Sequence, residues 1–202
     1  MYRINEIFLS LQGEGFWTGT PMVFVRFSGC NLHCPFCDTD HSAFREMTGE
    51  QLLKAVREAG KGCRRICLTG GEPSLQADGA LIQALHEAGY QLHIETNGTR
   101  PLPEGLDWIT LSPKADVPAL KGDGTVVLPE AHEVKLVFDG SLPPETIARW
   151  AAFPAAWHFL QPCDTGDPVR NATLLEQTLA TIQAAPDSWR LSLQTHKLLG
   201  IR

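Results

Sequence analysis

Apolar residues along the chain fall into short runs that are rich in β-branched and aromatic side chains. Runs of about four to eight such residues, bounded by polar or glycine-rich stretches, are typical of buried β-strands. The strands predicted in this way occupy residues 7–11, 22–27, 65–68, 91–94, 108–111, 133–138, 157–160 and 190–193.

Helical patterns separate several of these strands. Thr48 and Gln51 have the spacing of a capping box, which predicts a helix that begins after Thr48 and ends at Gly60. Asp78 can cap a second helix, which ends at Gly89. Two more helices are predicted, one after residues 143–144 and one from Asn171 to Pro186, with Leu175, Leu179 and Ile182 turned inward.

The alternation of strands and helices indicates an α/β fold whose parallel strands are joined by helical crossovers. A complete eight-unit barrel typically needs about 250 residues, whereas this chain has 202. Residues 95–108 and 112–132 also carry little helical pattern. We therefore expect an incomplete, open parallel β/α barrel, formed by one domain that spans residues 1–202.

Polar or glycine-rich groups follow most of the predicted strands. They occupy residues 12–14, 29–30, 69–73, 95–98, 112–114, 161–162 and 195–197. The carboxyl ends of parallel strands carry the active site in α/β folds, because the loops there converge. We therefore expect all of these groups at one rim of the barrel, around one large polar site.

Composition and charge exclude several classes of protein. The chain has a formal net charge of -6 and no basic run, which argues against a nucleic-acid groove. No apolar run reaches the roughly 18 residues of a membrane span, and the first residues do not form a secretory signal. We expect a cytoplasmic protein that binds neither nucleic acid nor a membrane.

Three of the six cysteines, Cys30, Cys34 and Cys37, are close enough in sequence to bind one inorganic centre. Thiolates favour iron–sulfur clusters or zinc, and the spacing alone leaves both open. Zinc would need completion by His33 or His41, and three unrelated buried thiols are a further alternative. On a four-iron cluster, three ligands would leave one iron free to chelate a small molecule.

A longer set of motifs resembles a known family. The three cysteines, with Phe36 before the last, and Gly-Gly-Glu-Pro at residues 70–73 resemble the radical S-adenosylmethionine (SAM) superfamily. The 7-carboxy-7-deazaguanine synthase family within it is similar at Gly19 and at residues 6–15, 24–26, 37–39, 95–99, 112–114 and 194–198. The resemblance covers nearly the whole chain.

The resemblance implies a fold of the radical SAM type and a lyase reaction in queuosine and 7-deazapurine biosynthesis. In that reaction 6-carboxy-5,6,7,8-tetrahydropterin becomes 7-carboxy-7-deazaguanine, with loss of ammonia. A 5′-deoxyadenosyl radical made from SAM would abstract hydrogen from pterin C6, and SAM would be regenerated. The protein would position the reactants and exclude water and thiols, since the cofactor carries the hard chemistry.

The resemblance also implies which residues bind each group. A 4Fe–4S cluster would lie on Cys30, Cys34 and Cys37, and Mg²⁺ on Thr39, with Asp38 as an alternative ligand. The SAM residues would be Phe36, Cys37, Asp38, Gly71, Ser112, Pro113, Lys114, Gln161, Pro162, Cys163 and Asp164. The substrate residues would be Leu11, Gln12, Gly13, Glu14, Arg26, Thr69, His196 and the terminal carboxylate of Arg202.

Several of these residues also have an ordinary interpretation. Ser112 and Lys114 could belong to a solvated loop, and Thr39 to a turn. Arg26 could form a surface salt bridge at a strand end, and His196 could be structural. Cys63 and Cys67 are expected to be inert thiols, as is Cys163 within the SAM segment, while Glu95 and Asn97 receive no role.

The resemblance implies two partners besides the pterin, namely a second copy in a homodimer and a flavodoxin or ferredoxin as reductant. Two other functions stay open on the residues alone. One is a radical SAM activase that abstracts hydrogen from a protein, since the cysteine and glycine motifs would fit it equally. The other is a zinc-bound interaction module without catalysis. Residues 12–14 and 195–197 favour the pterin enzyme.

Overall fold

The computed structural model describes residues 1–40 and 42–202. The strands are β1 (Tyr2–Leu11), β2 (Pro21–Phe27), β3 (Arg45–Met47), β4 (Arg65–Gly70), β5 (Gln91–Thr96), β6 (Trp108–Leu111), β7 (Ala131–Phe138), β8 (Ala155–Pro162) and β9 (Arg190–Leu191). The helices are α1 (Gly49–Gly60), α2 (Gly79–Glu87), α3 (Pro144–Ala151), α4 (Pro168–Ala184) and α5 (Thr195–Leu199).

Local sequence signals place most of these elements. The capping box of α1 is confirmed, because Thr48 Oγ1 accepts a hydrogen bond from the Gln51 backbone N–H at 3.2 Å and Gln51 Oε1 accepts one from the Thr48 N–H at 2.8 Å. Asp78 likewise caps α2 through the N–H of Leu81. The short edge strand β3 was not predicted, since three residues are too few to show a period.

The predicted start of α4 at Asn171 is wrong. The helix begins at Pro168, because Asp167 accepts a hydrogen bond from the Val169 N–H at 2.9 Å and proline suits the first helical position. Its buried positions are Leu174 and Thr178, so the predicted inward Leu175 and Leu179 are displaced by one residue. Leu179 is 38% exposed, while the third predicted residue, Ile182, does pack against the core.

The sheet is open and mostly parallel, as predicted. Its strand order is β3-β1-β2-β4-β5-β6-β7-β8-β9, and each neighbouring pair from β2 to β9 is parallel. Strand β1 is the exception, because it runs antiparallel to β2 and pairs Leu11 with Pro21. Only residues 12–20 join these two strands, and a parallel crossover needs about a dozen residues or more.

The direction of β1 corrects one prediction. Residues 12–14 follow β1 at the amino ends of the parallel strands, opposite the rim at which the other polar groups were expected. The top of the barrel is defined here as the carboxyl ends of the parallel strands, and the bottom as their amino ends. The segment after β1 therefore reaches the interior of the barrel from the bottom.

An aromatic plug, formed by Phe16, Trp17, His93, Trp108 and His132, closes the bottom of the barrel. The ring centroids of Phe16 and Trp108 lie 5.0 Å apart, those of Trp17 and His93 lie 4.9 Å apart, and those of Trp108 and His132 lie 5.1 Å apart. The backbone N–H of Phe16 also donates to Glu133 Oε2 at 2.9 Å. The same loop that begins inside the barrel thus seals its lower end.

Helices cover the outer face of the sheet in two groups. One core packs α1 and α2 against β1, β2, β4 and β5, and the other packs α3 and α4 against β6, β7 and β8. Within the described residues no helix lies between β5 and β6 or between β6 and β7, as the weak helical pattern in residues 95–108 and 112–132 predicted. Among those residues there is also no helix long and apolar enough to cross a membrane.

Candidate active site

A central cavity of about 460 Å³ occupies the barrel interior. Every residue expected to bind the cluster, SAM, magnesium or substrate lines it except Pro113, which is buried. The cavity also contains lining residues to which the sequence assigned no role, including Glu6, Phe8, Glu72, Glu95, Lys135, Gln194 and Lys197. Residues far apart in the chain therefore meet around one space.

The cysteine loop forms the upper wall of this cavity. Cys30 and Cys34 are half-buried and Cys37 is exposed, and all three are free thiols. Burial raises the pKa of Cys30 and of Cys34, and Cys30 Sγ accepts a hydrogen bond from the Leu32 backbone N–H at 3.4 Å. Three sulfur donors facing one cavity form a donor set that suits an iron–sulfur cluster.

The two histidines considered as zinc ligands do not extend this donor set. His33 is exposed and is not among the lining residues of the cavity, while His41 lies outside the described residues. Within the part of the chain that the structure describes, no three His, Cys, Asp or Glu side chains are grouped as ligands of a single metal ion.

The glycine motif packs against the backbone that leads into the cysteine loop. Gly70 has a φ of +123°, and a Cβ there would lie 2.2 Å from the carbonyl oxygen of Phe27. A Cβ on Gly71 would lie 2.0 Å from the carbonyl oxygen of Gly29. Because only glycine permits this approach, the motif fixes the position of the loop that carries Cys30.

Glu72, the acidic residue of this motif, is fully buried and holds two top loops together. Its carboxylate accepts hydrogen bonds from Thr96 Oγ1 at 2.8 Å, from the Asn97 N–H at 2.7 Å and from the Ser74 N–H at 2.9 Å. Three donors satisfy the buried charge. Its role is therefore to join the loop after β4 to the loop after β5.

The residues expected around SAM form two polar groups at the top of the barrel. Lys114 donates to the Ser112 carbonyl oxygen at 2.7 Å and to Ser112 Oγ at 2.6 Å, and burial lowers the pKa of Lys114. On the other side, Lys197 Nζ lies 2.7 Å from Asp38 Oδ2 and 2.8 Å from Asp164 Oδ2. Lys197 thus links the cysteine loop to the segment after β8.

Arg26 lies on the cavity wall and forms the salt bridge that was considered as its ordinary interpretation. Its Nε donates to Glu6 Oε1 at 2.8 Å, with both side chains about three-quarters buried. A second nitrogen of Arg26 lies 3.5 Å from Thr39 Oγ1. The guanidinium has five donors, so this salt bridge leaves capacity for a substrate carboxylate.

The carboxyl-terminal segment docks onto β1 and the residues after it. Thr195 donates to the Gly13 carbonyl oxygen through its N–H at 3.0 Å and its hydroxyl at 2.9 Å. A Cβ on Gly13 would lie 2.1 Å from His196 Nδ1, so this glycine admits the histidine ring. The backbone oxygen of Arg202 accepts from Ser10 Oγ, and its guanidinium contacts Glu6.

A buried charge network forms the floor of the cavity. Lys135 Nζ contacts Glu14 and lies 3.1 Å from Glu95 Oε2. Gln12 Nε2 donates to Glu95 Oε1 at 2.8 Å, and Gln194 Nε2 donates to Glu14 Oε1 at 2.9 Å. The sequence offered one signal for Lys135, which is the cation within the otherwise apolar stretch 134–138.

Comparisons with known proteins give the cavity a context. Residues 24–121 match the radical SAM superfamily. A 7-carboxy-7-deazaguanine synthase from Bacteroides thetaiotaomicron is 50% identical over 202 residues, with all of both chains covered. A second, from Caulobacter vibrioides, is 42% identical over 222 residues and covers 99% of each chain.

The fold has a matching solved structure. The crystal structure of QueE from Escherichia coli superimposes with a TM-score of 0.76 at 28% sequence identity. The match covers 95% of this chain and 93% of the other. The fold of this chain is therefore shared along nearly its full length.

Proposed function

Because the chain belongs to the 7-carboxy-7-deazaguanine synthase family of the radical SAM superfamily, we propose that its central cavity carries out the ring contraction of that family. The substrate is 6-carboxy-5,6,7,8-tetrahydropterin, and the products are 7-carboxy-7-deazaguanine and ammonia. One observation carries this proposal. A single cavity is lined by three clustered cysteines together with Gln12, Glu14 and His196, which come from opposite ends of the chain.

The upper part of the cavity holds the cofactors. Cys30, Cys34 and Cys37 would bind a 4Fe–4S cluster, and the half-buried Lys114 lies close enough to favour the thiolate form of Cys34 by lowering its pKa. When bound there, the cluster and SAM would supply the radical chemistry of the reaction. Ser112 and Asp164, at the ends of two different strands, offer oxygen acceptors for the hydroxyl and amino groups of SAM.

Thr39 and Arg26 bind the acidic side of the substrate between the cofactors and the floor. The Thr39 hydroxyl can be one ligand of Mg²⁺, which often combines one or two protein ligands with substrate oxygens and water. Arg26 lies beside it and can form a forked pair with the substrate carboxylate. Asp38 lies 3.5 Å from Thr39 Oγ1 and is the alternative ligand.

The floor recognises the pterin ring. Gln12 offers both a donor and an acceptor, while Glu14 offers acceptors for the amino and ring N–H groups of a pterin. His196 lies against Gly13 on the same side and can donate or accept one hydrogen bond. The aromatic plug beneath excludes water from below, so the ring is held in a site that opens at the top.

The proposed function also implies a protein reductant, a second copy of the chain and a cellular compartment. Cys37 is exposed, which lets a flavodoxin or ferredoxin approach the cluster from the top. The family resemblance supports a homodimer, which light scattering of the purified protein would test. All six cysteines are free thiols, which suits a reducing compartment such as the cytoplasm.

An anaerobic assay tests the proposal. Protein carrying a full cluster is incubated with SAM, a reductant, Mg²⁺ and the carboxypterin, and the deazaguanine is detected by mass spectrometry. We expect product with the complete mixture, and much less when Mg²⁺ is replaced by a chelator. A colourless protein that holds one zinc ion, or a fully loaded protein that forms no deazaguanine, would contradict the proposal.

A further inference from the structure

Lys135 lies on the floor of the central cavity between two acidic side chains from distant parts of the sequence. Its Nζ contacts Glu14, which follows β1, and lies 3.1 Å from Glu95 Oε2 on β5. The side chain of Lys135 is 4% exposed, that of Glu14 is 13% exposed and that of Glu95 is 22% exposed. Because Lys135 lies within the paired strand β7, its stem is held in place.

The three groups form an unequal charge balance, with two carboxylates for one ammonium. Burial alone would raise the pKa of Glu14, but the Lys135 ammonium outweighs it and lowers that pKa to about 2. Conversely, burial would lower the pKa of Lys135, and the carboxylates of Glu14 and Glu95 raise it instead. The other charged or titratable groups that interact electrostatically with members of this network include Glu133, His196, His93, Lys114 and Cys67.

Two carboxylates in one buried site do not both stay ionised without a cation. When like charges share such a site, one carboxyl group takes up a proton at a much higher pH than usual. A protonated carboxyl group loses part of its capacity to accept hydrogen bonds. The edge of a pterin presents N–H donors, so a floor that binds it needs ionised acceptors, and hydrogen bonds to an ionised acceptor are roughly twice as strong as neutral ones.

Resting on the function proposed above, we propose that Lys135 is a positioning residue that keeps Glu14 and Glu95 ionised as acceptors for the amino and ring N–H groups of the pterin. It acts on the substrate through the two carboxylates. An ion pair that served stability alone would affect unfolding and would weaken pterin binding equally at every pH. The proposal instead requires that the loss in pterin affinity caused by removing Lys135, measured against the unsubstituted protein, changes with pH.

The test measures binding of 6-carboxypterin, which has the same donor edge and carboxylate but does not react. Cluster-loaded protein with SAM and Mg²⁺, kept anaerobic and without reductant, is dialysed against the pterin from about pH 6 to about pH 9. At each pH the affinity of a variant is compared with that of the unsubstituted protein, and we expect Lys135→Arg to match the unsubstituted protein throughout. Lys135→Met should bind about tenfold more weakly near pH 6, and the deficit should shrink as the pH rises.

A second variant covers the case in which Lys135→Met fails to fold, since an uncompensated buried charge is strongly destabilising. Lys135→Met with Glu95→Gln leaves one carboxylate, which no longer shares its site with a like charge. We expect the affinity of this double variant, relative to that of the unsubstituted protein, to change little with pH. The role of Lys135 would be overturned if Lys135→Met bound relatively better near pH 6 than near pH 9. It would also be overturned if the double variant kept a deficit near pH 6 that disappeared as the pH rose.

The outcomes separate the two proposals. If the unsubstituted protein binds 6-carboxypterin and Lys135→Met binds equally well, or is weaker by the same factor at every pH, the role of Lys135 is overturned and the proposed function stands. If the unsubstituted protein does not bind 6-carboxypterin at any pH, the proposed function fails and the role of Lys135 fails with it.

Discussion

The two ends of the barrel are built from opposite kinds of side chain. The bottom is closed by the aromatic plug, in which Phe16 stacks on Trp108 of β6 and Trp17 packs edge-on against His93 of β5. The top and interior are lined by thiols, carboxylates, amides and cations around the central cavity. One loop contributes to both, because Gln12 and Glu14 face the cavity while the next residues enter the plug.

This difference separates stability from function. Aromatic packing contributes mostly to folding free energy, whereas the polar groups are positioned for ligands. Residues 12–17 run from the cavity into the plug. The plug therefore also fixes how far Gln12 and Glu14 reach into the barrel. Substitutions at the bottom should therefore lower stability, and substitutions at the top should lower activity in a protein that still folds.

The largest effect should come from the cysteine loop. Cys34→Ala removes one of three cluster ligands, so we expect complete loss of activity and of most bound iron, with little change in the unfolding temperature of the cluster-free protein. Iron content and visible absorbance measure this. Cys63→Ala is the matched control, since Cys63 lies outside the cavity and should retain both iron and activity. Full activity of Cys34→Ala would contradict the ligand assignment.

The plug should show the reverse behaviour. Trp17→Ala removes ring contacts with Phe16, His93 and Trp108, and we expect it to lower the free energy of unfolding by about 3 kcal/mol. Urea unfolding of the cluster-free protein measures this. Val169→Ala, on a side chain that is 78% exposed, should change it by less than about 0.5 kcal/mol. If Trp17→Ala and Val169→Ala lowered the free energy of unfolding equally, the aromatic plug would not be a main source of stability.

Acid sensitivity should also arise at the bottom. Burial lowers the pKa of His93 to about 4, so the folded protein holds a neutral ring while the unfolded chain takes up a proton below its ordinary value of 6.5. The stability that comes from keeping His93 neutral in the folded protein is therefore fully present above pH 6.5 and is lost as the pH falls toward 4. Between the ordinary value and about pH 5 we expect a loss of about 2 kcal/mol.

His93→Gln isolates this contribution. Other groups titrate in the same range, so the informative quantity is the difference in slope between the two proteins when unfolding free energy is plotted against pH. We expect a shallower slope in His93→Gln whatever its absolute stability. Identical slopes would show that His93 is not the source of the acid sensitivity.

An extension at the carboxyl terminus should affect the cavity and leave the plug intact. Arg202 contacts Ser10 and Glu6 and lines the cavity. Residues added after Arg202 should displace these contacts and lower activity about tenfold, as expected for the loss of one hydrogen bond to a charged group, while iron content and stability stay unchanged. The same extension before Met1, which is 72% exposed, should be harmless.

The smallest effect should come from Lys197, whose ion pairs are half-exposed. Its hydrogen bond to Asp164 holds the pKa of that carboxyl well below its usual range. Since exposed pairs contribute up to about 1 kcal/mol, Lys197→Met should weaken SAM binding about threefold at low salt and less at high salt. Lys197→Arg should bind normally. A salt-independent defect would mean that Lys197 touches SAM itself.

Local patterns in the sequence predicted most of the fold, and the family resemblance named many of the residues that line the cavity. Capping signals at Thr48 and Asp78 and the apolar runs located helices and strands, because those signals act over a few residues. The antiparallel direction of β1 was missed because it depends on how β1 and β2 are connected. Residues 12–20 are too few for a parallel crossover between them. Lys135 was missed because its partners are 121 and 40 positions away, a separation that only folding brings together.

The most direct test of the central claim, that one cavity holds both cofactor and pterin, is the ratio of deazaguanine formed to SAM consumed under anaerobic reducing conditions. If hydrogen is returned after the ring contraction, each protein chain should form many molecules of 7-carboxy-7-deazaguanine while the SAM concentration stays nearly constant. Loss of one SAM for every product formed, or no product from protein with a full cluster, would contradict this account.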